Sequence, residues 1–198
     1  VVLTPKTGIY LEEGVAVGDF ASLYPSAMQS ENLCISSKVW AKIYDNDGLM
    51  IQEIGEKDAD GSFKYDNLSG HKYVNMEFDT YAWLKNPLKP GTKAKKTKTG
   101  HKICRFEQTE GILPSILKEL LKARKDTRKR IPGEPDQFMK NILDQRQLAY
   151  KVTANSIYGQ TGAKTSTFYE PDVAASTTAM GRKCLLFAKK IIEECYGE

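Results

Sequence analysis

The chain has 198 residues, of which 40% are hydrophobic and 27% are charged, and its formal net charge is +4. This balance is typical of a globular protein and excludes a fibrous or a disordered one. No apolar run has the length of a membrane span, and the first ten residues lack the pattern of a secretory signal. We therefore expect a soluble intracellular protein with no membrane partner. The four cysteines lie far apart without a CxxC pair, which argues against a zinc cluster or a disulfide framework.

The first predicted elements are a strand and a short helix. Residues 14–20 form an apolar, β-branched run that begins at a glycine and has Asp19 near its end. This pattern predicts a buried strand with an acidic side chain at the strand end. Pro25 follows a turn and suits the first turn of a helix, which predicts a helix from about residue 25 toward Glu31.

Residues 36–100 alternate short β-type segments with turn-rich ones. Strands are predicted over residues 39–44 and 73–78, and the tetrapeptides at 45–48 and 58–61, rich in Asp and Gly, predict turns. We therefore expect an antiparallel insert. Residues 88–100 are rich in Lys, Thr, Gly and Pro and lack apolar periodicity, which predicts a mobile linker and a domain boundary.

Three helices are predicted in the second half of the chain. Apolar residues recur at helical spacing over residues 111–131 and 137–159, and a Pro/Gly turn separates the two runs. Such an arrangement predicts an antiparallel helical hairpin. A further amphipathic pattern predicts one long helix over residues 171–196. Its apolar stripe consists of Cys184, Leu185, Ala188, Ile191, Ile192 and Cys195.

The predicted hairpin carries basic residues of two kinds. A row of lysines has the spacing of a solvated helix flank, namely Lys118, Lys122, Lys125 and Lys129. Arg124 and Arg128 instead continue the apolar side of the first helix, and inward-facing arginines need an anionic partner. One polar face of the second helix consists of Asp144, Gln147, Lys151, Asn155 and Tyr158. A clamp for a triphosphate and an ordinary set of interhelical salt bridges both fit this arrangement.

Two motifs, in this order along the chain, resemble motifs A and B of family B DNA polymerases. They are DFASLYPS at residues 19–26 and KVTANSIYG at residues 151–159. The segment GILPSILKELLKARK at residues 111–125 resembles the start of that family's fingers, in the polymerase delta branch and its large-DNA-virus relatives. The resemblance covers residues 14–36 and 109–196, whereas residues 37–108 match only by their position.

The resemblance implies an α+β fold, in which a polymerase palm portion of antiparallel strands and long helices is interrupted by an antiparallel two-helix fingers hairpin. The implied domains are a first palm part with motif A and a β-rich insert at 1–108, the fingers hairpin ending in motif B at 109–159, and a second palm part, one long helix, at 160–198. The family's motif C, an aspartate-containing hairpin, has no match. We therefore expect a half-complete metal site and no activity from this chain alone.

The resemblance also implies roles for single residues. Asp19 would be one of two aspartates that hold two catalytic Mg²⁺ ions, with the backbone carbonyl of Phe20 as a further ligand. The backbone at Ser22 and Leu23 would contact the triphosphate. Tyr24 would lie under the incoming sugar as a steric gate against a 2′-hydroxyl.

Further implied roles fall on the hairpin. The residues implied to bind the nucleotide are Arg124, Arg128, Lys151 and Asn155. Tyr158 and Gly159 would contact the nascent base pair, where a glycine allows close approach of the backbone.

The implied activity is that of a DNA-directed DNA polymerase, in which a primer 3′-hydroxyl attacks the α-phosphorus of a deoxynucleotide by two-metal phosphoryl transfer. The implied partners are template-primer DNA, deoxynucleoside triphosphates and the remainder of the polymerase (exonuclease, motif C and thumb), at a site of DNA replication in the nucleus, the cytoplasm or a virus-infected cell. The alternative is a non-catalytic basic nucleic-acid-binding module that tracks the phosphate backbone. That alternative does not require Asp19 and Tyr24 to occur together with Lys151 and Asn155.

Overall fold

The computed structural model describes residues 3, 7–11, 14–15, 17–84 and 94–196. In this part of the chain, a short helix precedes four strands and three long helices follow them, with a short 3₁₀ turn at Ile131–Gly133 between the second and third helices. In chain order the elements are α1 (Leu23–Ser30), β1 (Lys38–Tyr44), β2 (Met50–Gly55), β3 (Tyr73–Leu84), β4 (Lys95–Glu107), α2 (Ile112–Arg130), α3 (Gln137–Gly162) and α4 (Pro171–Tyr196).

The strands form one antiparallel sheet in the order β2-β1-β4-β3. Ala41, Cys104 and Met76 lie directly opposite one another across β1, β4 and β3, and all three side chains are buried. Residues that are paired across strands share one face of the sheet. This face therefore packs against the helices, and the prediction of an antiparallel insert is confirmed.

The helices complete the core on that face of the sheet. Leu117 of α2, Ala154 of α3 and Val173 of α4 belong to the same buried cluster as Cys104 of β4. The α2–α3 pair forms the predicted antiparallel hairpin, and Asp136 caps α3 by accepting a hydrogen bond from the backbone N–H of Phe138 at 3.0 Å. None of the described helices is long and apolar enough to cross a membrane. All four cysteines are free thiols.

The side chain of Asn32 connects the end of α1 to the junction between β4 and α2. Its amide nitrogen donates to the carbonyl oxygens of Glu107, at 2.7 Å, and Thr109, while its amide oxygen accepts from the N–H of Gly111 at 2.7 Å. Asn32 has a φ of 48°, and only 5% of it is exposed. Asparagine tolerates this left-handed conformation better than most residues do. One buried amide thus closes α1 and orients the start of α2.

A buried ionic cluster joins the sheet to the first turn of α4. Asp172 accepts hydrogen bonds from Lys102, at 2.6 Å, and Lys38, at 3.2 Å, and Lys38 also contacts Glu170 at 2.9 Å. Burial by itself would lower the pKa of Lys38, but the hydrogen bonds and negative charges of Glu170 and Asp172 outweigh burial and raise that pKa above its ordinary value. The position of Asp172 at a helix N-terminus also favours its negative charge.

The predicted strand over residues 14–20 is wrong for the residues described there. Gly14, Val15 and residues 17–20 form no strand, and 90% of Val17 is exposed; Ala16 lies outside the described residues. A strand requires neighbours that pair with its backbone groups. Among the described residues, no strand runs alongside this segment. Asp19 therefore does not stand at the end of a strand in this structure.

The predicted linker over residues 88–100 is wrong for residues 95–100, which form the first half of β4 and pair with residues 80–84 of β3. Residues 88–93 lie outside the described residues. The alternation of Lys and Thr in residues 95–99 gives no apolar signal because both faces of this part of the strand are exposed. β3 also continues beyond its predicted end at residue 78, to Leu84, because residues 80–84 pair with residues 95–100 of β4.

The predicted bounds of α4 are confirmed, but its predicted apolar stripe is not buried. The buried residues of α4 lie in its first half and are Asp172, Val173, Ser176, Thr177 and Gly181. Ile191 and Ile192 are exposed. The second half of α4 carries exposed apolar side chains, namely Leu186, Phe187, Ile191 and Ile192.

We expect Asn32→Ala to lower the free energy of unfolding by about 3 kcal/mol, because it leaves several buried backbone groups without hydrogen-bond partners. Urea denaturation followed by circular dichroism measures this loss. Asn67→Ala is the matched control, since Asn67 also has a positive φ, of 53°, but is exposed. Equal losses in the two variants would show that backbone strain, rather than the buried amide, accounts for the effect.

Candidate nucleotide-binding site

The turn before α1 has a left-handed residue at its centre. Ser22 has φ 54° and ψ 50°, and its carbonyl accepts the first helical hydrogen bond, from the N–H of Ser26 at 2.9 Å. Pro25, in the first turn of α1, has no N–H to satisfy, which suits this position. The Ser22 hydroxyl does not cap the helix. The left-handed conformation of Ser22 thus begins α1 without a side-chain cap.

A cationic groove of about 470 Å³ separates this turn from α2. Its lining residues are Ala21, Ser22, Leu121, Arg124, Lys125, Arg128 and Lys129. Four of the seven are basic and none is acidic. Guanidinium groups bind phosphate oxygens in pairs, and ammonium groups add point charges. The groove can therefore bind a polyanion between the basic face of α2 and the backbone of the turn.

The two arginines of this groove differ in burial. Arg124 is half-buried, and its Nε donates to Oε1 of Gln147 on α3 at 3.2 Å, which orients the guanidinium. Arg128 is exposed, so the prediction that it points inward is wrong. It follows Thr127, the last buried residue of α2, and the helix has no core beside it beyond that point. Lys125 and Lys129 are exposed, as predicted for the lysine row, yet they also line the groove.

Two aromatic side chains join the start of α1 to the end of α3. The rings of Tyr24 and Tyr158 stack with centroids 4.4 Å apart and planes 24° apart, and the Tyr158 hydroxyl is hydrogen-bonded to Thr178 Oγ1 at 3.0 Å. Burial raises the pKa of Tyr24, and the neighbouring Tyr158 adds to the rise. Tyr24 is therefore a neutral phenol at physiological pH.

Gly181 of α4 allows this arrangement. A Cβ atom at residue 181 would lie 3.1 Å from Cε1 of Tyr24 and 3.3 Å from Cδ2 of Leu23, closer than most side-chain contacts. No role for Gly181 or Thr178 was predicted from the sequence. The available signal was a run of small residues, Ser176, Thr177 and Thr178, followed by a glycine in the same helix, which is typical of a close helix contact.

The remaining hairpin residues lie on the exposed side of α3. Lys151 and Asn155 are exposed and lie outside the lining of the cationic groove. Ala154 points into the core, which leaves these neighbours toward solvent. Lys151, Asn155 and Tyr158 are spaced by four and three residues and share one face. A Cβ at Gly159 would meet no atom within 4 Å, so the space beside it is open.

Asp19 and Phe20 lie on the other side of the turn. They line a mostly apolar groove of about 410 Å³ together with residues of the second half of α4, among them Leu185 and Ile192. In the described part of the chain, no group of three or more His, Cys, Asp or Glu residues could hold a metal ion. The Asp19 carboxylate and the Phe20 carbonyl are hard oxygen donors of the kind that Mg²⁺ prefers, but an octahedral ion needs further ligands.

Comparisons with known proteins agree on one family. The model of DNA polymerase family B matches residues 1–198. A DNA polymerase of Phaeocystis pouchetii virus is 55% identical over 99% of this chain and 19% of its own length. The DNA polymerase delta catalytic subunit of Dictyostelium discoideum is 33% identical over 99% of this chain and 14% of its own length.

A solved structure supports the fold assignment. The family B DNA polymerase from the archaeon Pyrobaculum calidifontis matches with a TM-score of 0.55 at 24% sequence identity, covering 90% of this chain and 18% of the polymerase. This likeness confirms the expected α+β fold of antiparallel strands and long helices. The chain spans about a fifth of the length of the viral relative. The family match over the whole chain, the relatives and the fold together show that this chain belongs to DNA polymerase family B.

Proposed function

We propose that this chain forms the incoming-nucleotide site of a DNA-directed DNA polymerase, which extends a primer 3′-hydroxyl by two-metal phosphoryl transfer. The cationic groove between the turn at Ala21 and Ser22 and the basic face of α2 carries this proposal. A triphosphate has several negative oxygens close together, and this groove opposes them with four cations and no carboxylate. The proposed reaction is inferred from the relatives, which are named DNA polymerase and DNA polymerase delta catalytic subunit.

The triphosphate is proposed to bind in the groove with Arg124 and Arg128 as its main partners. Gln147 holds Arg124 in place, so that less side-chain freedom is lost when phosphate binds. Lys151 and Asn155 follow Gln147 on α3 and would reach the nucleotide when the hairpin closes over it. Catalysis of phosphoryl transfer depends mainly on such positioning and on stabilisation of negative charge.

The sugar is proposed to lie against Tyr24. Stacking on Tyr158 and close contact with Gly181 hold the ring of Tyr24 on two sides. A ring that cannot move aside excludes a 2′-hydroxyl by steric overlap. Tyr158 and Gly159 are proposed to contact the nascent base pair, where the open space beside Gly159 admits a flat base.

Family B polymerases use divalent metal ions, and the proposed ions are two Mg²⁺. Asp19 and the Phe20 carbonyl would hold them on this chain, together with a carboxylate from motif C in the remainder of the polymerase. Bound Mg²⁺ would neutralise charge on the reacting phosphate. Asp19 would thereby orient the α-phosphate side of the nucleotide, opposite the arginines of α2.

The remainder of the polymerase is proposed to cover two apolar surfaces of this chain. One is residues 14–15 and 17–20, where Val15 and Val17 are exposed and no strand among the described residues pairs with this segment. The other is the second half of α4, including Leu185 and Ile192, which lines the groove beside Asp19. A strand hairpin bearing motif C would pair with the first surface and pack on the second, which would complete the metal site.

The proposed domains are two palm parts, residues 1–108 and 160–198, and the fingers, residues 109–159. The proposed partners are template-primer DNA, deoxynucleoside triphosphates and the exonuclease, motif C and thumb of the same polymerase, during DNA replication inside a cell. The alternative, a non-catalytic module that follows the DNA backbone, accounts for the basic face of α2. It does not account for the packed Tyr24–Tyr158 pair beside a backbone turn.

In the complete polymerase, we expect Tyr24→Ala to admit ribonucleotides more readily, because the ring that blocks the 2′-hydroxyl is removed. Single-turnover incorporation of matched deoxy- and ribonucleotides measures the discrimination. Tyr24→Phe keeps the ring and its stack on Tyr158 and should retain discrimination. If Tyr24→Ala discriminates as strongly as the wild type, the steric-gate role is incorrect.

We expect Arg124→Ala and Lys151→Ala to lower kcat/KM for nucleotide incorporation at least tenfold, since each charge-assisted phosphate contact contributes about 1.5–3 kcal/mol. Lys122→Ala is the matched control, because Lys122 is exposed on α2 and does not line the groove. Its kcat/KM should remain near that of the wild type. Similar losses in all three variants would favour the backbone-tracking alternative.

A further inference from the structure

The outer ends of β3 and β4 form a two-stranded ribbon that projects beyond the rest of the sheet. We call residues 81–84 and 95–98, which pair with each other, the distal ribbon. The pairing of β1 with β4 ends at Tyr44 and His101, so β1 does not reach the ribbon. The distal ribbon contributes nothing to the hydrophobic core. Because an isolated two-stranded ribbon is only marginally stable, folding does not explain this extension.

One face of the distal ribbon combines aromatic and basic side chains. Tyr81 and Trp83 are two residues apart and therefore share a face. Their partners across the ribbon, Lys98 and Lys96, share that face as well. Trp83 is 71% exposed and Tyr81 is 49% exposed. The Nζ of Lys96 lies 4.3 Å from the centroid of the Tyr81 ring, which presents the cation beside an aromatic surface.

The charge of this region is of one sign. Residues 80–106 include eight Lys or Arg residues and no Asp or Glu. Asp79, at the base of the ribbon, forms an ion pair with Lys98 at 2.7 Å and accepts a hydrogen bond from Tyr81. Lys102 and Arg105 form ion pairs with Asp172 and Asp66. Among the described residues of the ribbon, the remaining positive charge is that of Lys96 on the aromatic face and Lys95 on the opposite face. A polyanion has the charge that complements this basic surface.

A groove leads from the ribbon toward the nucleotide site. It has a volume of about 760 Å³ and runs between β3 and α4. Tyr81 lines it on the side of β3, next to two acidic residues, one of which is the partner of Lys98, while Thr178, Arg182 and Lys183 line it on the side of α4. Thr178 is hydrogen-bonded to Tyr158 of the aromatic stack at 3.0 Å. An extended strand bound at the ribbon could thus continue to the proposed base-pair position.

We propose that the distal ribbon binds single-stranded DNA, with unpaired bases stacked on Trp83 and Tyr81 and backbone phosphates bound by Lys96, which shares their face. Exposed aromatic rings next to lysines bind unpaired strands without sequence preference, because every base has a flat face to stack. Duplex DNA hides those faces, so the aromatic part of the affinity is specific to an unpaired strand. This site is separate from the cationic groove and does not rest on the proposed nucleotide chemistry.

The test is a titration of the 198-residue protein with oligothymidylate of roughly 12 nucleotides, a length within the usual site size of such surfaces. Trp83 should report binding through quenching of its fluorescence. The second tryptophan, Trp40, is only 7% exposed and donates its Nε1–H to Asp66 at 2.8 Å, which shields it from bases. The affinity is measured independently by anisotropy of a labelled oligonucleotide.

We expect Trp83→Ala to weaken binding about tenfold, the usual consequence of losing one base stack. Trp83→Phe should retain most of the affinity, because it keeps an aromatic face. Lys96→Gln should weaken binding and reduce the salt slope of log K by about one. Since these side chains lie outside the core, the melting temperature of each variant should equal that of the wild type.

Two matched controls separate the ribbon from general surface effects. Phe138→Ala removes an aromatic side chain of similar exposure, 69%, from the start of α3. Lys64→Gln removes a lysine that also lies over a tyrosine ring, at 5.1 Å from the centroid of Tyr65. Both should bind like the wild type. Absence of binding, an unchanged affinity of Trp83→Ala, or equal affinity for a duplex of the same length would each overturn the proposal.

Discussion

The buried amide of Asn32 is the contact on which the arrangement of the helices depends. It satisfies two carbonyl groups at the end of β4 and the N–H of Gly111 just before α2, and it does so from the residue that closes α1. Because α1 ends and α2 begins next to Asn32, the hydrogen bonds of its side chain determine the orientation of the two helices relative to each other. The turn at Ala21 and Ser22 faces the arginines of α2 only while this orientation is maintained.

A second constraint acts on α1 from the side of α4. Asp172 ties the first turn of α4 to Lys38 and Lys102 of the sheet, and burial of these charges makes the contact costly to break. Gly181 lies further along the same helix and admits the side chain of Tyr24. The Tyr24–Tyr158 stack is therefore held by α3, which carries Tyr158, and by α4, which the ionic cluster joins to the sheet. Neither constraint takes part in the proposed chemistry, yet both position the residues that do.

Three kinds of surface lie outside the hydrophobic core, and each has the chemistry to bind one of the proposed partners. The exposed residues 14–15 and 17–20 and the second half of α4 are mostly apolar, which suits other parts of a polymerase. The cationic groove contains only basic charge, which suits a triphosphate. The distal ribbon combines basic and aromatic side chains, which suits an unpaired strand. The chemistry of each surface, rather than its exposure alone, distinguishes the three.

The sequence by itself determined the family and the helices. Helical hydrogen bonds join residues four apart, so local periodicity, Pro25 and the Pro/Gly turn after α2 were sufficient to predict α1, the hairpin and the bounds of α4. The motifs supplied the candidate residues. The tertiary structure alone decided that residues 14–20 form no strand where they are described, that residues 95–100 do, that Arg128 is exposed and that Gly181 contacts Tyr24. Each of these outcomes depends on a neighbour distant in the chain, or on its absence among the described residues, and local patterns carry no information about such neighbours.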